Sequence, residues 1–223
     1  MNGKEKSGMK KGAIFDMDGT LLDTEKFYAQ GWIEIAKKLG LPPEPKLPRA
    51  MSGASVVEMP EIASRYYPGV DAKAYIDEVF AFVRRKKEED ISLMAGVREI
   101  LDFFRQRGIP MAVASSSFRE VVEANLKTAG IREYFDAVVG GDQVRLGKPD
   151  PEIFVKAAGD IGVPPEECYI FEDSFNGIRA AHAAGGMAIM IPDQTEPNEE
   201  IRGLCTVYRG LQEALQAIRA EEK

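Results

Sequence analysis

The run Ala13-Ile14-Phe15-Asp16-Met17-Asp18-Gly19-Thr20 decides how this chain is read. A short apolar stretch leads straight into two carboxylates one residue apart, then into Gly-Thr. A buried strand accepts apolar residues and rejects charge, so Asp16 and Asp18 belong just past a strand end. In an open parallel sheet that edge is where ligands bind. Asp16 is therefore the candidate reactive group, and the rest of the chain is read for parts that would serve it.

Working outward, Lys11 to Asp16 reads as the first strand, and residues 1 to about 9 as a frayed tail. Downstream, Asp23-Thr24 offers a helix N-cap. Glu25 to Leu39 carries a helical apolar pattern (Phe27, Trp32, Ile35, Ala36, Leu39), and Gly40 fits its C-cap. Prolines 42, 43, 45 and 48 predict an irregular linker. Val56 to Tyr67 and Ala72 to Glu89 are further helices, the second with Ile76, Val79, Phe80 and Val83 on one face.

After Gly96 the character changes. Helices are expected over Val97–Arg107, Phe118–Ala129, Glu152–Ile161, Phe175–Ala184 and Leu211–Ala220. Strands are expected over Pro110–Ala114, Ala137–Val139, Tyr169–Phe171 and Met187–Ile191. This βαβα alternation marks a doubly wound parallel sheet with helices on both faces. The organisation is an α/β catalytic core from 10–23 and 92–223, with an all-helical cap inserted over 24–91. An insert directly after the first strand projects from the sheet's carboxyl edge, where a lid would be placed.

Composition narrows the function classes. The 223 residues are 44% apolar and 29% charged, as in an ordinary globular protein. A net charge of −7 argues against a nucleic-acid binder. Cys168 and Cys205 form no CxxC pair, which suits a reducing cytoplasm. No apolar run approaches the ~20 residues of a membrane span, and the apolar stretch before Asp16 is too short for a signal peptide. Nothing in the sequence argues against a monomer.

Four groups stand at or just after expected strand ends. They are Asp16/Asp18, Ser115-Ser116, Lys148 in Gly147-Lys148-Pro149-Asp150-Pro151, and Glu172-Asp173. Parallel strands bring such groups to one edge. Four carboxylates against one lysine cannot gather unaided, since two like charges ~4 Å apart repel by ~4 kcal/mol even at an effective dielectric of 20. Oxygen-rich ligation favours Mg²⁺ as the missing charge. The expected roles follow. Asp16 is a metal-bound nucleophile toward phosphorus, forming an aspartyl-phosphate. Asp18 protonates the leaving oxygen and later deprotonates water. Ser115 and Ser116, with nearby backbone N–H groups, bind phosphate oxygens. Lys148 neutralises charge on the transferring group. Asp173, with Glu172, completes the metal shell.

These residues resemble the haloacid dehalogenase superfamily: Asp16-x-Asp18-Gly-Thr for its first motif, Ser115 for the second, Lys148 for the third, Glu172-Asp173 for the fourth. The resemblance runs from about residue 11 to 208 and points to the β-phosphoglucomutase-like group with a helical cap. It implies Mg²⁺ held by the Asp16 and Asp173 side chains and the Asp18 backbone carbonyl. Asp18 also separates this chain from the dehalogenases proper, which lack that second aspartate. Sugar mutases of the group carry a histidine near the position of Tyr28 and a phosphate-binding arginine where this chain has Val56. Both departures, with only Arg49 near as a substitute, favour plain hydrolysis.

The stretches around Asp16, Lys148-Pro149-Asp150-Pro151 and Ile191-Pro192-Asp193 also look like pseudouridine-5′-phosphatase relatives. The expected activity is a Mg²⁺-dependent phosphatase acting on a sugar or nucleoside monophosphate. A phosphomutase is the alternative, and a phospho-aspartate signalling switch a remote one. Elsewhere Ser117-Phe118-Arg119-Glu120 reads as a capping box. Arg84-Arg85-Lys86-Lys87 reads as a solvated helix end, His182 as structural or surface, and Trp32 as cap core. Asp142 and Arg145 either touch substrate or order the loop before Lys148.

Overall fold

A computed structural model describes residues 9–51, 54, 58–89, 91–193 and 196–221. Among these, six strands form one sheet: β1 (Gly12–Phe15), β2 (Met111–Ser115), β3 (Ala137–Gly140), β4 (Cys168–Glu172), β5 (Met187–Met190) and β6 (Thr206–Val207). Their order is β3-β2-β1-β4-β5-β6, and every pair is parallel. The order reverses between β1 and β4, which makes that crevice the topological switch point of a doubly wound sheet. Phe15 is level with Phe171 on one side and with Val113 on the other.

Side chains alternate across β1 and β4, and each face has its own core. Ile14 and Ile170 pack with Ile153, Phe154, Ile178 and Ala181 in one buried cluster. Phe15 and Phe171 face the other way and stack at 4.5 Å and 7°. Phe104 and Phe135 meet Phe15 edge-on, each at 6.2 Å. This aromatic block underlies the central strand pair.

The chain divides into two compact units, Met1–Leu22 with Leu93–Lys223, and Asp23–Ser92. The second unit contains α1 (Glu25–Lys38), α2 (Leu47–Met51), α3 (Met59–Tyr66) and α4 (Ala72–Glu89). Its core gathers Phe27, Trp32, Ile35, Tyr67, Tyr75, Val79 and Val83. Trp32 is 2% exposed, and its carbonyl accepts a bond from the Tyr75 hydroxyl at 2.5 Å. The expected linker contains α2 instead, because Pro48 stands in its first turn, where no amide donor is needed. Lys87 is not solvated. It is 6% exposed, with its ammonium 5.3 Å from the Tyr28 ring centroid, a cation–π contact. Arg84 and Arg85 are exposed as expected. Expectations on residues 1–8, Ser52-Gly53 and Val56 lie outside the described residues.

In the first unit the chain leaves at Leu22 and returns at Leu93, and these two residues form an isolated antiparallel bridge. The remaining helices are α5 (Val97–Gln106), α6 (Arg119–Thr128), α7 (Glu152–Asp160), α8 (Phe175–Ala183), α9 (Glu199–Arg202) and α10 (Leu211–Ala220). His182 lies exposed on α8.

Candidate active site

Asp16 immediately follows β1, and its amide donates to the Phe171 carbonyl at 2.9 Å. Glu172 ends β4. Both carboxylates therefore sit one residue beyond the stacked phenylalanines, on adjacent central strands. Lys148 comes to them from 132 residues further along than Asp16. Its ammonium donates to Asp16 Oδ1 at 2.6 Å, to Glu172 Oε1 at 2.6 Å and to the Ala114 carbonyl at 3.2 Å. The Lys148 side chain is only 6% exposed.

The loop carrying Lys148 is held by α7. Glu152 Oε2 accepts the amides of Arg145 and Leu146 at 3.0 and 3.1 Å, and Asp150 Oδ1 accepts the Glu152 amide at 2.9 Å. Glu152 escaped sequence reasoning. A carboxylate in the first turn after Pro-Asp-Pro was the available signal.

Glu172 is the second carboxylate on Lys148. It is fully buried. Oε1 takes the Lys148 ammonium, while Oε2 accepts the amides of Asp173 and Ser174 and the Ser174 hydroxyl at 2.9–3.0 Å. Gly177 has no side chain because a Cβ there would collide with this carboxylate. Both oxygens accept from protein donors, so Glu172 clamps Lys148 against the strand end. Ser174 also caps α8, its hydroxyl accepting the Gly177 amide at 3.0 Å.

Asp18 stands in a tight turn. The amides of Leu21 and Leu22 both reach the Met17 carbonyl at 3.0 Å, and the Gly19 amide reaches the Leu22 carbonyl at 2.9 Å. Gly19 has φ +83°, which favours glycine, and a Cβ there would strike the Asp173 carboxylate. Asp173 therefore lies against the turn that carries Asp16 and Asp18.

Ser115 ends β2 level with Gly140, and its buried hydroxyl accepts the Ser117 amide at 3.2 Å. Ser116 is exposed beside it. The capping box expected at Ser117 is not formed, because α6 starts at Arg119 with Phe118 as its N-cap. Asp142 takes that part, with Oδ1 accepting the Arg119 amide at 2.7 Å. Asp142 thus orders the loop. Gly140 and Gly141 let the two loops touch, since a Cβ on either would hit the backbone of Arg119 or Ser116.

The electrostatics follow from this crowding. Burial alone would lower the Lys148 pKa, but Asp16 and Glu172 outweigh it and hold the ammonium above its ordinary range. Asp16 is pushed up to about 8, by burial first. Lys148 opposes the rise, and Glu172 and Asp18 add to it.

A family model matches most of the chain. The model for haloacid dehalogenase-like hydrolases aligns with residues 10–185. The chain belongs to that family. Fructose-1-phosphate phosphatase of Escherichia coli is 36% identical over 179 residues, covering 80% of this chain and 94% of that protein. A phosphorylated carbohydrates phosphatase of Thermotoga maritima is 35% identical over 179 residues, covering 77% and 80%. Among solved structures, a protein assigned as a β-phosphoglucomutase from Thermotoga maritima superposes with TM-score 0.78 at 29% identity, over 94% of this chain and 99% of that one.

Haloacid dehalogenase-like phosphatases generally use Mg²⁺, and the donors here suit it. Among the described residues, no group of three His, Cys, Asp or Glu side chains could hold a metal ion by itself. The donors near the turn are the Asp16 and Asp173 carboxylates and backbone carbonyls. A sparse set of oxygens suits a hard cation that keeps several waters.

Proposed function

We propose that this phosphoric monoester hydrolase acts on a small sugar phosphate through an aspartyl-phosphate formed on Asp16. The observation that carries the reading is the Lys148 ammonium shared at 2.6 Å between Asp16 and Glu172 at the switch point. Lys148 fixes the Asp16 carboxylate against the strand end and neutralises charge that gathers on a transferring phosphoryl group. Ser115, Ser116 and the loop amides before α6 receive the phosphate oxygens. Asp16 bonds to phosphorus as the bond to the leaving oxygen breaks, and Asp18 gives that oxygen its proton. Water then attacks the phosphorus, its proton goes to Asp18, and Asp16 is released.

Mg²⁺ would be held by the Asp16 and Asp173 side chains and the Asp18 backbone carbonyl. When bound it supplies charge that draws an anionic substrate into an acidic protein. In this reading Glu172 is outside that set, because both its oxygens already accept from protein donors. The carbohydrate-phosphate names of two relatives support a sugar as the leaving group.

The test is phosphate release from a panel of sugar and nucleoside monophosphates with Mg²⁺. Release from sugar phosphates, lost in Asp16→Asn, is expected. No release from any member would sink the proposal. The mutase reading has the Thermotoga structural relative in its favour. Against it, the position near the mutase histidine holds Tyr28, whose ring meets Phe80 edge-on at 6.1 Å. A coupled assay decides, because a mutase isomerises a sugar monophosphate faster than it hydrolyses it.

A further inference from the structure

The backbone of Ser117 is fixed on both sides. Its amide donates to Ser115 Oγ at 3.2 Å, and its carbonyl accepts the Gly141 amide at 2.9 Å. Its hydroxyl is not spent on α6, whose first amide is taken by Asp142 at 2.7 Å. That hydroxyl instead donates to Asp18 Oδ2 at 3.4 Å, across 99 residues of sequence. The distance is long for an O–H···O bond, and catalytic hydrogen bonds of this kind tighten when substrate is bound.

We propose that Ser117 is a positioning residue for Asp18, holding its carboxylate in the orientation for proton transfer, and that Asp142 frees the Ser117 hydroxyl for this by capping α6. The inference rests on the reading of Asp18 as the acid and base. An α6 capped by Ser117 itself would turn the hydroxyl toward the helix amides and away from Asp18. The loop after β3 therefore acts on the proton-transfer group through an intermediate serine. Gly140 and Gly141 are the residues that let this loop come close enough.

A positioning role for the acid differs from a phosphate-binding role in its leaving-group dependence. In the first half-reaction the Asp16–phosphorus bond forms and the bond to the leaving oxygen breaks. A sugar alkoxide needs the Asp18 proton at that moment, whereas nitrophenolate leaves without it. The experiment compares kcat/KM for a sugar phosphate with kcat/KM for p-nitrophenyl phosphate, and adds the inhibition constant of inorganic phosphate.

Ser117→Ala is expected to lose roughly tenfold on the sugar phosphate, a part of the ~10²–10⁴ that a placed acid supplies, and less than about twofold on the aryl ester. The phosphate inhibition constant stays put. Ser117→Thr keeps the hydroxyl and restores the rate. Asp142→Ala gives the same selective loss, while Asp142→Asn retains an acceptor for the Arg119 amide and stays near wild type. Equal losses on both substrates, or weakened phosphate inhibition in Ser117→Ala, overturn the inference. An unselective loss in Asp142→Ala overturns the part given to Asp142. Asp18→Asn separates the two levels. If it lacks leaving-group selectivity, the acid–base reading fails and takes this one with it. If it has that selectivity and Ser117→Ala does not, only the positioning inference fails.

Discussion

Replacing Glu172 by Gln keeps the shape of the clamp and removes one acceptor oxygen. In the native side chain Oε1 faces the Lys148 ammonium, and Oε2 faces three donors at 2.9–3.0 Å. A glutamine has one oxygen for these two sides. If the oxygen faces Lys148, its NH₂ group points at two amides and a hydroxyl. If it is flipped, the NH₂ group points at an ammonium. Either choice sets donors against donors in a fully buried place. Breaking a buried ion pair costs about 3–5 kcal/mol, and each buried donor left unpaired about 1–3 kcal/mol. Lys148 keeps Asp16 and the Ala114 carbonyl, so the lower end applies, about 3 kcal/mol. That is a large share of the ~5–15 kcal/mol that holds a typical domain folded.

Urea unfolding of the metal-free protein at neutral pH reads this as a lower midpoint at unchanged slope. Activity falls in the same variant. The Mg²⁺ concentration for half-activation, however, shifts less than in Asp173→Asn, because Glu172 is outside the proposed ligand set. A Glu172→Gln protein within about 0.5 kcal/mol of wild type and fully active would refute the clamp.

Thr20 is fully buried, and its hydroxyl has no hydrogen-bond partner among the described residues. Thr20→Val should raise stability by about 1 kcal/mol in thermal unfolding, and a loss would show that the hydroxyl is satisfied in solution. Asp16 binds its proton up to about pH 8 in the fold and only to its ordinary 3.8 in the unfolded chain. Between those values the folded state holds more protons. Metal-free wild type should therefore lose stability relative to Asp16→Asn as pH rises from about 4 to about 8. Parallel pH–stability curves for the two proteins would contradict this. Gly140→Ala drives a Cβ into the Arg119 backbone, which cannot yield as a side chain can. A cost of about 1–3 kcal/mol and weaker inhibition by inorganic phosphate are expected, and an unchanged inhibition constant would separate this contact from the phosphate loop.

The fold was legible wherever burial wrote a period into the residues. Ala72–Glu89 and Leu211–Ala220 are helices over the bounds expected, because each presents a continuous apolar stripe. The parallel sheet followed from short apolar runs between helices. What escaped is short or set by distant partners. The two-residue β6 and four-residue α9 are too brief to carry a pattern. α2 hides behind Pro48 because a proline in the first turn reads locally like a linker. At the site, Asp16, Lys148 and Glu172 could be picked out by residue type and position. The bond between Glu172 and Lys148 could not, since it depends on where a residue 24 positions away arrives. The capping box at Ser117 does not form because α6 starts one residue later than that local pattern requires, and its Arg119 amide goes to Asp142, beyond α6 and β3. Lys87 looked solvated because no local pattern places the Tyr28 ring beneath it.

The joining of Asp16 to Lys148 and Glu172 also bears on how the chain is made. Asp16 is synthesised 132 positions before Lys148. Until then β1 lacks its β4 neighbour, and burying Asp16 without Lys148 would cost either an unpaired charge or the uptake of a proton. The central strand of a growing chain therefore has reason to stay open until its last partners leave the ribosome. Such long-range closure is slow, and it leaves the apolar run Ala13-Ile14-Phe15 exposed meanwhile. The carboxyl that serves chemistry in the finished protein thus makes early burial of the sheet's centre unfavourable until Lys148 and β4 have been made.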